Sequence, residues 1–476
     1  MKINFSFVGN YAKLTAKLQL FTGVFMFKIL LMPLLAIVLG CSHAAVYKSS
    51  LEITRSNDFG SGKLVIVQGP TSSTEANINV LAPRLKNYVY EVVDSGGQKY
   101  KAEVYETVKQ EPLHWKVDKI LVSGLKPGVK YVLSVVDVFR GSSTVVDKRT
   151  FQALNTSASS VRFAYASCMA DDYRFNAVIG PMWARMKSLN PDMIILNGDL
   201  VYVDSFEFVE RQKATELDIW MRFIDSFNRL PIYHWDELKP IFATWDDHDF
   251  GTNDSDREFV SKEGARRVFL AFFGGKNLDG VYKLEHETVY FAMNAFQQKF
   301  YFMDDRYFRQ PNKNQTVAEK YAQWGEKQHK WLIDGLKTDN VPAWIINGNQ
   351  VSSGVDLSYK ESLQWNDPEH YKLLQADLKG VATPFVFASG DIHFSEIMAL
   401  PADRFGLDTY EVTSSSMHSY VGEGWKNPLR VPKMFTNEFN FMMINSQNKN
   451  GKLAVDVESW GLKDEPYFKY QFEVKR

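Results

Sequence analysis

The alternation of apolar and polar residues divides the chain into two regions with different predicted structures. From about residue 46 to residue 152, short stretches of alternating hydrophobicity are separated by clusters of Pro, Gly, Ser, Asn and Asp; the stretches are KLVIVQG, NYVYEVVD, KAEVYETV and YVLSVVDVF. Short strands with turn residues at this spacing are typical of an all-β sandwich. The region contains no cluster of titratable residues that points to chemistry.

The pattern changes after a polar segment of small residues at positions 155–160. The apolar runs beyond it show little alternation, which is typical of strands buried on both faces; they are VRFAYAS, MIILN, IFATW, AWIIN and PFVFAS. Helical periodicity occurs between some of these runs, as at Phe175–Leu189 and Trp324–Leu336. We therefore predict a β-sandwich over residues 46–154, a linker over 155–160, and a layered α/β domain with a sheet core and outer helices over 161–476.

One turn in the first region has a specific pattern. Leu125 and Tyr131 flank a Pro-Gly turn just before the apolar strand VLSVVDVF. We expect both side chains to face inward and the tyrosine hydroxyl to bond back to the backbone. This turn resembles the tyrosine corner of fibronectin type III-like domains, so a sandwich of that kind is the expected N-terminal fold.

Residues 1–45 have the pattern of an export signal. An uncharged apolar run from Ile29 to Leu39 follows Lys28, and it is shorter than the roughly 20 residues that span a membrane. Such a run fits the apolar region of a secretory signal, with Met26 as the expected true start. No later run approaches the length of a spanning helix, so the mature chain is expected to have no transmembrane domain.

The end of this segment, Val38-Leu39-Gly40-Cys41, resembles the lipobox of a bacterial lipoprotein signal. That resemblance predicts lipidation of Cys41 and a lipid anchor on the periplasmic side of a membrane or on the cell surface. The alternative is cleavage near Ala45, which gives a soluble periplasmic protein. Both routes export the chain, and both remove the Cys41 thiol from any disulfide.

Charge and cysteine content narrow the remaining classes of protein. The chain has 55 basic and 56 acidic side chains and only two cysteines. This balance argues against a nucleic-acid binder, which normally shows a basic stripe. The cysteine count excludes disulfide-stapled scaffolds and thiolate zinc fingers. Cys168 is then a lone thiol in an exported protein, and it requires an explanation.

Residues that can bind metals follow the buried runs. The residues that follow them, in chain order, are Ser167-Cys168, Gly198-Asp199 with Tyr202, Asp246-Asp247-His248-Asp249 with Asn253, Gly348-Asn349, and Gly390-Asp391-Ile392-His393. In open α/β sheets the ligand crevice lies beyond the carboxyl ends of the strands. We therefore expect these side chains at one rim.

Each motif alone has an ordinary structural explanation: a Gly-Asp turn, a solvated loop or helix cap, or a buried core cysteine. Their coincidence at the ends of strands favours a metal site. Acidic and imidazole groups crowded at one rim would repel each other or shift their pKa values unless a cation neutralised them.

These residues resemble the calcineurin-like metallophosphoesterase superfamily, and specifically its PhoD-type alkaline phosphatases. Ser167-Cys168 stands where the general superfamily pattern has Asp-x-His, and Gly390-Asp391-Ile392-His393 replaces the final histidine pair. Trp245-Asp246-Asp247-His248-Asp249 replaces Gly-Asn-His, as in the PhoD branch. The stretches Phe302–Arg306 and Tyr410–Ser416 are similar too, and the resemblance covers nearly all of residues 46–476.

The resemblance and the donor types together predict the metals. Thiolate and phenolate donors suit a high-charge redox metal, so Cys168 and Tyr202 predict Fe³⁺. The family implies that Asp199, Asp391 and His393 complete or bridge that site. Oxygen donors suit a hard divalent ion, and the family implies Ca²⁺ at a neighbouring position.

Other roles are expected around this centre. Asp247 and Asn253, with shared carboxylates, would hold the calcium. Asp247 and His248 are the expected catalytic residues, and His248 would contact the transition state or protonate the leaving alkoxide. Alternatively, His248 would only orient a metal ligand. Arg306 would clamp phosphate or only pair with Asp304 or Asp305, and Asn349 is a further candidate phosphate contact.

The predicted function is an exported, metal-dependent phosphoesterase that acts on monoesters, diesters or both, with a phosphate ester as its substrate. The alternative within enzymes is a diesterase or phospholipase-like activity on membrane or wall polymers. The alternative of another class is an adhesive lipoprotein whose catalytic domain is inactive; the complete set of metal-ligand types argues against it.

Overall fold

The computed structural model describes residues 62–205, 214–285, 287–312, 319–354 and 362–475. All described residues belong to one compact unit. The predictions for the export signal, Met26 and Cys41 lie outside the described residues.

The N-terminal strands form a seven-stranded antiparallel sheet with the order β1-β2-β5-β4-β3-β6-β7. The strands are β1 (Val65–Thr71), β2 (Glu75–Pro83), β3 (Tyr88–Asp94), β4 (Lys99–Lys109), β5 (Trp115–Ser123), β6 (Lys130–Phe139) and β7 (Ser142–Gln152). Strand β4 changes partner along its length: Tyr100 pairs with β3, whereas Lys101–Lys109 pair with β5. Side chains from the two ends of the sheet, β1-β2-β5 and β3-β6-β7, pack into one buried core, which includes Ile78, Ile120 and Leu133.

The predicted tyrosine corner is confirmed. Leu125 and Tyr131 are 2% and 0% exposed, and the Lys126 backbone N–H donates to the Tyr131 hydroxyl oxygen at 2.8 Å. The tyrosine thus satisfies its polar group at the backbone while its ring fills the core, where it packs against Tyr100 and Phe151.

Two further sheets form the core of the α/β region. The first has the order β10-β9-β8-β19-β20-β21, and β8, β9 and β10 are parallel. Its strands are β8 (Ser160–Ala166), β9 (Met193–Asn197), β10 (Ile241–Thr244), β19 (Asn440–Lys449), β20 (Lys452–Gly461) and β21 (Phe468–Val474).

The second sheet has the order β11-β12-β13-β14-β15-β17-β16-β18, with parallel pairing from β13 through β14 and β15 to β17. Its strands are β11 (Tyr282–Leu284), β12 (Phe291–Ala295), β13 (Gln298–Phe302), β14 (Ala343–Ile346), β15 (Phe385–Ser389), β16 (Ser395–Leu400), β17 (Thr409–Thr413) and β18 (Arg430–Thr436). Aromatic side chains join the two sheets: Phe163 packs edge-on against Trp344 at 5.6 Å, and Phe242 stacks on Phe302 at 6.2 Å.

The helices of the described residues connect these strands. They are α1 (Asn176–Ser188), α2 (Glu216–Arg229), α3 (Asp247–Phe250), α4 (Lys262–Phe272), α5 (Gly325–Thr338), α6 (Leu363–Asn366), α7 (Pro368–Leu378) and α8 (Ala402–Phe405). The helical patterns predicted near residues 175–189 and 324–336 correspond to α1 and α5. The predicted fold class, an α/β sheet core with an N-terminal β-sandwich, is confirmed. None of these helices is both long and apolar enough to cross a membrane.

The N-terminal sheet is fastened to the end of helix α4 by buried polar side chains. Asn79 on β2 donates from Nδ2 to the carbonyls of Phe272 and Gly274, at 2.8 and 3.0 Å. Lys119 on β5 donates to the carbonyls of Leu270 and Gly274, at 2.6 and 2.8 Å. Phe272 is the last residue of α4, and its carbonyl is one of those that the last turn of a helix leaves without an intrahelical partner. Burial lowers the pKa of Lys119 to about 8.

We predict that Asn79→Leu, which keeps the size of the side chain, lowers the free energy of unfolding by about 1–3 kcal/mol, because the Phe272 carbonyl loses a buried donor. Urea denaturation should show an earlier midpoint. The control is Asn87→Leu at an exposed position, which should leave the midpoint in place. Equal midpoints for the two variants would contradict this role for Asn79.

Candidate metal centre

The carboxyl ends of parallel strands from both sheets meet at one place. Asn197, at the end of β9, donates from Nδ2 to the Asn347 carbonyl just after β14, at 2.8 Å. The approach is close enough to require glycine. Gly198 has φ +80°, and a Cβ there would lie 2.5 Å from the Cβ of Asp246. A Cβ on Gly390 would lie 2.6 Å from the Ser167 hydroxyl. The glycines of the predicted motifs therefore allow the strand ends to come together.

Four of the predicted metal ligands have left-handed backbone conformations. The φ angles are +56° at Cys168, +55° at Asp199, +68° at Asp391 and +60° at His393. This region is unfavourable for residues other than glycine, although aspartate and histidine tolerate it better than most. Such strain persists only where surrounding structure imposes it, and it concentrates at functional sites.

Cys168 lies buried among hydrogen-bonding groups. The hydroxyls of Ser415 and Ser167 donate to its sulfur, at 3.1 and 3.3 Å, and its thiol faces Asp199 Oδ2 at 3.4 Å. Burial raises the pKa of the thiol well above its usual value, and the Asp199 carboxylate adds to this, whereas the two serines act in the opposite direction. A thiolate at this position therefore needs a cation beside it.

Asp199 lies between this thiol and a phenol. Its Oδ2 accepts from the Tyr202 hydroxyl at 3.3 Å, and its Oδ1 has no hydrogen-bond partner although the residue is 1% exposed. Burial raises the pKa of Asp199 well above its usual value, and the nearby Asp247 carboxylate adds to the effect. An unpartnered carboxylate oxygen in this setting fits a metal ligand.

His393 is oriented by the backbone. Its Nδ1 lies 2.7 Å from the Tyr420 carbonyl. A carbonyl only accepts, so Nδ1 carries the proton and Nε2 keeps its lone pair for a metal. Ligand atoms of Cys168, Asp199 and His393 all lie within 4.8 Å of one another. This group offers sulfur, oxygen and nitrogen donors.

A second group contains only carboxylates. Asp246, Asp247 and Asp391 each offer an oxygen within 4.8 Å of the others, and Asp199, Asp247 and His248 form a third group that links the first two. The Oδ2 of Asp246 is buried with no hydrogen-bond partner. The residues present therefore fit adjacent cations: one held by mixed S, N and O donors, and a harder one held by oxygen.

A further carboxylate holds the ligand loops together. Asp249 is fully buried, and its Oδ1 accepts from the backbone N–H groups of Leu200 and Val201, both at 2.8 Å. Its Oδ2 accepts from the Asp246 N–H at 3.1 Å, three residues back. Burial raises the pKa of Asp249 to about 7, against the opposing effect of these hydrogen bonds. One side chain thus joins the loop after β9 to the loop after β10.

His248 stands at the edge of the centre. Its ring stacks on Tyr202, with centroids 4.2 Å apart, and its Nδ1 lies 2.8 Å from Asp204 Oδ1. The other oxygen of Asp204 accepts from the Asn253 N–H at 3.0 Å. The imidazole is thus fixed between a phenol ring and a carboxylate, with its Nε2 on the opposite edge from Asp204.

The remaining predicted site residues, Asn253, Arg306 and Asn349, differ in burial and in hydrogen-bond partners. Asn253 contributes its backbone N–H to Asp204, and the residue itself is exposed. Arg306 is fully buried and pairs with Asp246, and its backbone N–H donates to Asp304 Oδ1. Its guanidinium is thus buried against the Asp246 carboxylate, and its Nε lies 3.8 Å from Asp305 Oδ1.

Asn349 is also fully buried. Its Oδ1 accepts from Gln323 and Asn347, and its backbone N–H donates to Asp305, whereas its Nδ2 has no hydrogen-bond partner. Hydrogen bonds to Oδ1 therefore fix the side chain, and its Nδ2 remains available as a donor.

Sequence reasoning did not assign roles to Asp204, Asp246, Asp249 or Ser415. One signal was available: Asp246 and Asp249 have the three-residue spacing of a capping box, and the structure contains that box. The contacts of Asp204 and Ser415 have no counterpart in local sequence, because Ser415 reaches Cys168 from a distant strand end.

We predict that chelator treatment lowers the melting temperature by about 5–10 °C, because the buried carboxylates lose their counter-cation. Differential scanning fluorimetry with and without chelator measures the shift, and re-added metal should reverse it. Asp246→Asn should reduce the shift, whereas Asp464→Asn at a fully exposed position should not. Identical melting with and without chelator would contradict a metal centre.

Comparison with known proteins supports the architecture. The solved structure of PhoD superposes on this chain with a TM-score of 0.65 and 15% sequence identity, covering 88% of this chain and 91% of PhoD. The structure of astrotactin-2, a perforin-like membrane protein, reaches a TM-score of only 0.16 at 12% identity over 25% of each chain, which is too low to bear on the fold. No protein-family model and no curated protein matches the sequence. The fold predicted from the strand-end motifs is confirmed: the chain has the fold of PhoD.

Proposed function

We propose that the chain is a metal-dependent phosphoesterase that hydrolyses phosphate monoesters, diesters or both. The observation that carries this proposal is the pair of joined ligand groups, Cys168-Asp199-His393 and Asp246-Asp247-Asp391, at the strand ends of a PhoD fold. Joined metal sites of this kind suit phosphoryl transfer, because both the attacking and the leaving oxygen carry negative charge.

The donor types support Fe³⁺ at the first group and Ca²⁺ at the second. Thiolate and phenolate ligands suit a high-charge ion, and Tyr202 lies within hydrogen-bonding distance of Asp199, whose ligand oxygen is also within 4.8 Å of one from Asp247 in the second group. An all-carboxylate group suits a hard divalent ion. Cations held there would activate a water molecule and offset the charge of the phosphate oxygens.

The chain's own contribution to turnover is assigned to His248. Asp204 fixes Nδ1, so Nε2 is the atom that can donate a proton to the departing oxygen or hydrogen-bond to the reacting phosphate. Stacking on Tyr202 prevents the ring from turning away. In this scheme Asp204 is a positioning residue, and His248 is the catalytic one.

Export remains part of the proposal. Lipidation at Cys41 would place the enzyme at a membrane surface outside the cytoplasm, where it could act on phosphate esters that do not cross the membrane. The lone buried thiol of Cys168 would be stable in that compartment if a metal occupied it.

We predict that the chain hydrolyses 4-nitrophenyl phosphate or bis(4-nitrophenyl) phosphate and loses this activity with chelator. His248→Ala should retain the metals but lower kcat about 10²–10⁴-fold, because proton transfer is lost. Release of nitrophenolate and elemental analysis of the same samples provide the two readouts.

The matched control for this variant is His114→Ala, which removes an exposed imidazole from the N-terminal sheet and should leave both readouts unchanged. Loss of metal from His248→Ala would assign His248 as a ligand instead. Full activity in that variant would refute the catalytic role. Absence of hydrolysis in the metal-loaded wild type would refute the proposed function.

We predict a visible phenolate-to-iron absorption band in the purified protein, and Tyr202→Phe should abolish it because the phenolate donor is removed. Tyr173→Phe, at a tyrosine that is 75% exposed, should leave the band intact. A protein without the band and without iron by elemental analysis would rule out the Fe³⁺ assignment.

A further inference from the structure

The segment from Ser415 to Gly422 runs from the buried centre to the surface. At its inner end Ser415 contacts Cys168, and at its outer end Tyr420 is 53% exposed. One side-chain and one backbone hydrogen bond fasten the outer end to His393: its Nδ1 donates to the Tyr420 carbonyl at 2.7 Å, and the Gly422 N–H donates to the His393 carbonyl at 2.6 Å. The rings of Tyr420 and His393 are adjacent, with centroids 6.4 Å apart.

The Tyr420 ring packs against Phe175 and Arg174. Phe175, which is 9% exposed, packs edge-on against it at 5.5 Å. The Arg174 guanidinium lies over the ring, 5.1 Å from its centroid, and hydrogen-bonds to the tyrosine hydroxyl. The residue is nevertheless 53% exposed. A ring that is both held in place and open is a preformed stacking surface.

The charge of Arg174 is already balanced. Its Nε and Nη2 donate to the two oxygens of Asp172, each at 2.8 Å, in the bidentate arrangement that suits guanidinium and carboxylate. An incoming anion would meet the Asp172 carboxylate as well as the arginine. This surface therefore favours a neutral planar group over a second phosphate or a carboxylate.

We propose that Tyr420, backed by Arg174 and Phe175, binds a planar aromatic group on the ester substituent of the substrate. This inference rests on the proposed phosphoesterase function and narrows its substrate class to esters that carry a nucleobase or an aryl ring. His393 belongs to the first ligand group, and its ring centroid lies 6.4 Å from that of Tyr420, so a phosphate held by that group would direct its substituent toward this surface.

The test compares substrates that differ only in the planar group. Adenosine 5′-monophosphate and ribose 5-phosphate share the sugar and the primary ester, and benzyl phosphate and cyclohexylmethyl phosphate differ only in the aromaticity of the ring. We expect kcat/KM of the wild type to favour the aromatic member of at least one pair by about tenfold, the effect of one stacked ring. Preference within the first pair identifies a nucleobase, and preference within the second an aryl ring.

Tyr420→Ala should bring this preference close to one, whereas Tyr420→Phe should preserve it because the ring remains. The control is Phe139→Ala. Phe139 is 63% exposed with Arg140 over its ring at 5.1 Å, but it lies at the β6–β7 turn of the N-terminal sheet. This variant should show the wild-type preference.

A wild type without preference in either pair, or a Tyr420→Ala variant that keeps it, overturns the proposal. Calorimetric binding of adenosine 5′-monophosphate and ribose 5-phosphate, and of the benzyl and cyclohexylmethyl esters, to metal-loaded protein separates this outcome from failure of the proposed function. A Tyr420-dependent preference in binding without hydrolysis would refute the phosphoesterase and retain the stacking surface. Hydrolysis without such a preference would do the reverse.

Discussion

The structure depends on the burial of several acidic groups at one junction, the place where the carboxyl ends of parallel strands from the two sheets meet. Asp199, Asp246 and Asp247 are at most 4% exposed, and their oxygens lie close together. Like charges at such distances repel strongly when water is excluded, and the carboxylates would otherwise take up protons. Arg306 offsets one of them through its ion pair with Asp246. The negative charge that Arg306 does not offset favours the binding of cations at this junction.

The rest of the architecture keeps this unfavourable arrangement in place. Two sheets supply parallel strands whose ends converge, and Asp249 ties two of the ligand loops through three backbone N–H groups. Glycines at the closest approaches remove the side chains that would keep the loops apart. The candidate ligands with left-handed backbones therefore stay in position because their neighbours leave them no alternative.

Much of the fold could be predicted because a buried strand is recognisable from a short apolar run in the sequence. The run MIILN became β9 with every residue buried, and the glycine and aspartate after it became part of the centre. The placement of Cys168, Asp199 and His393 at one rim followed from the rule that strand ends share an edge, and their grouping in one site was implied by the family resemblance. The role of Asp204 was missed because its contact with His248 depends on how the loop after β9 packs against the loop after β10. Arg306 was left between two roles because its burial could not be known from sequence.

By itself, the sequence determined which residues end each buried strand and therefore which chemical groups reach the junction, since hydrophobic periodicity and glycine positions are local properties. The tertiary structure decided how those groups are paired: that Asp391 joins the carboxylates of the β10 loop, that Arg306 turns inward to Asp246, and that Tyr420 stands open beside His393. These pairings join residues far apart in the chain. They depend on how two sheets pack against each other, which no short stretch of sequence encodes.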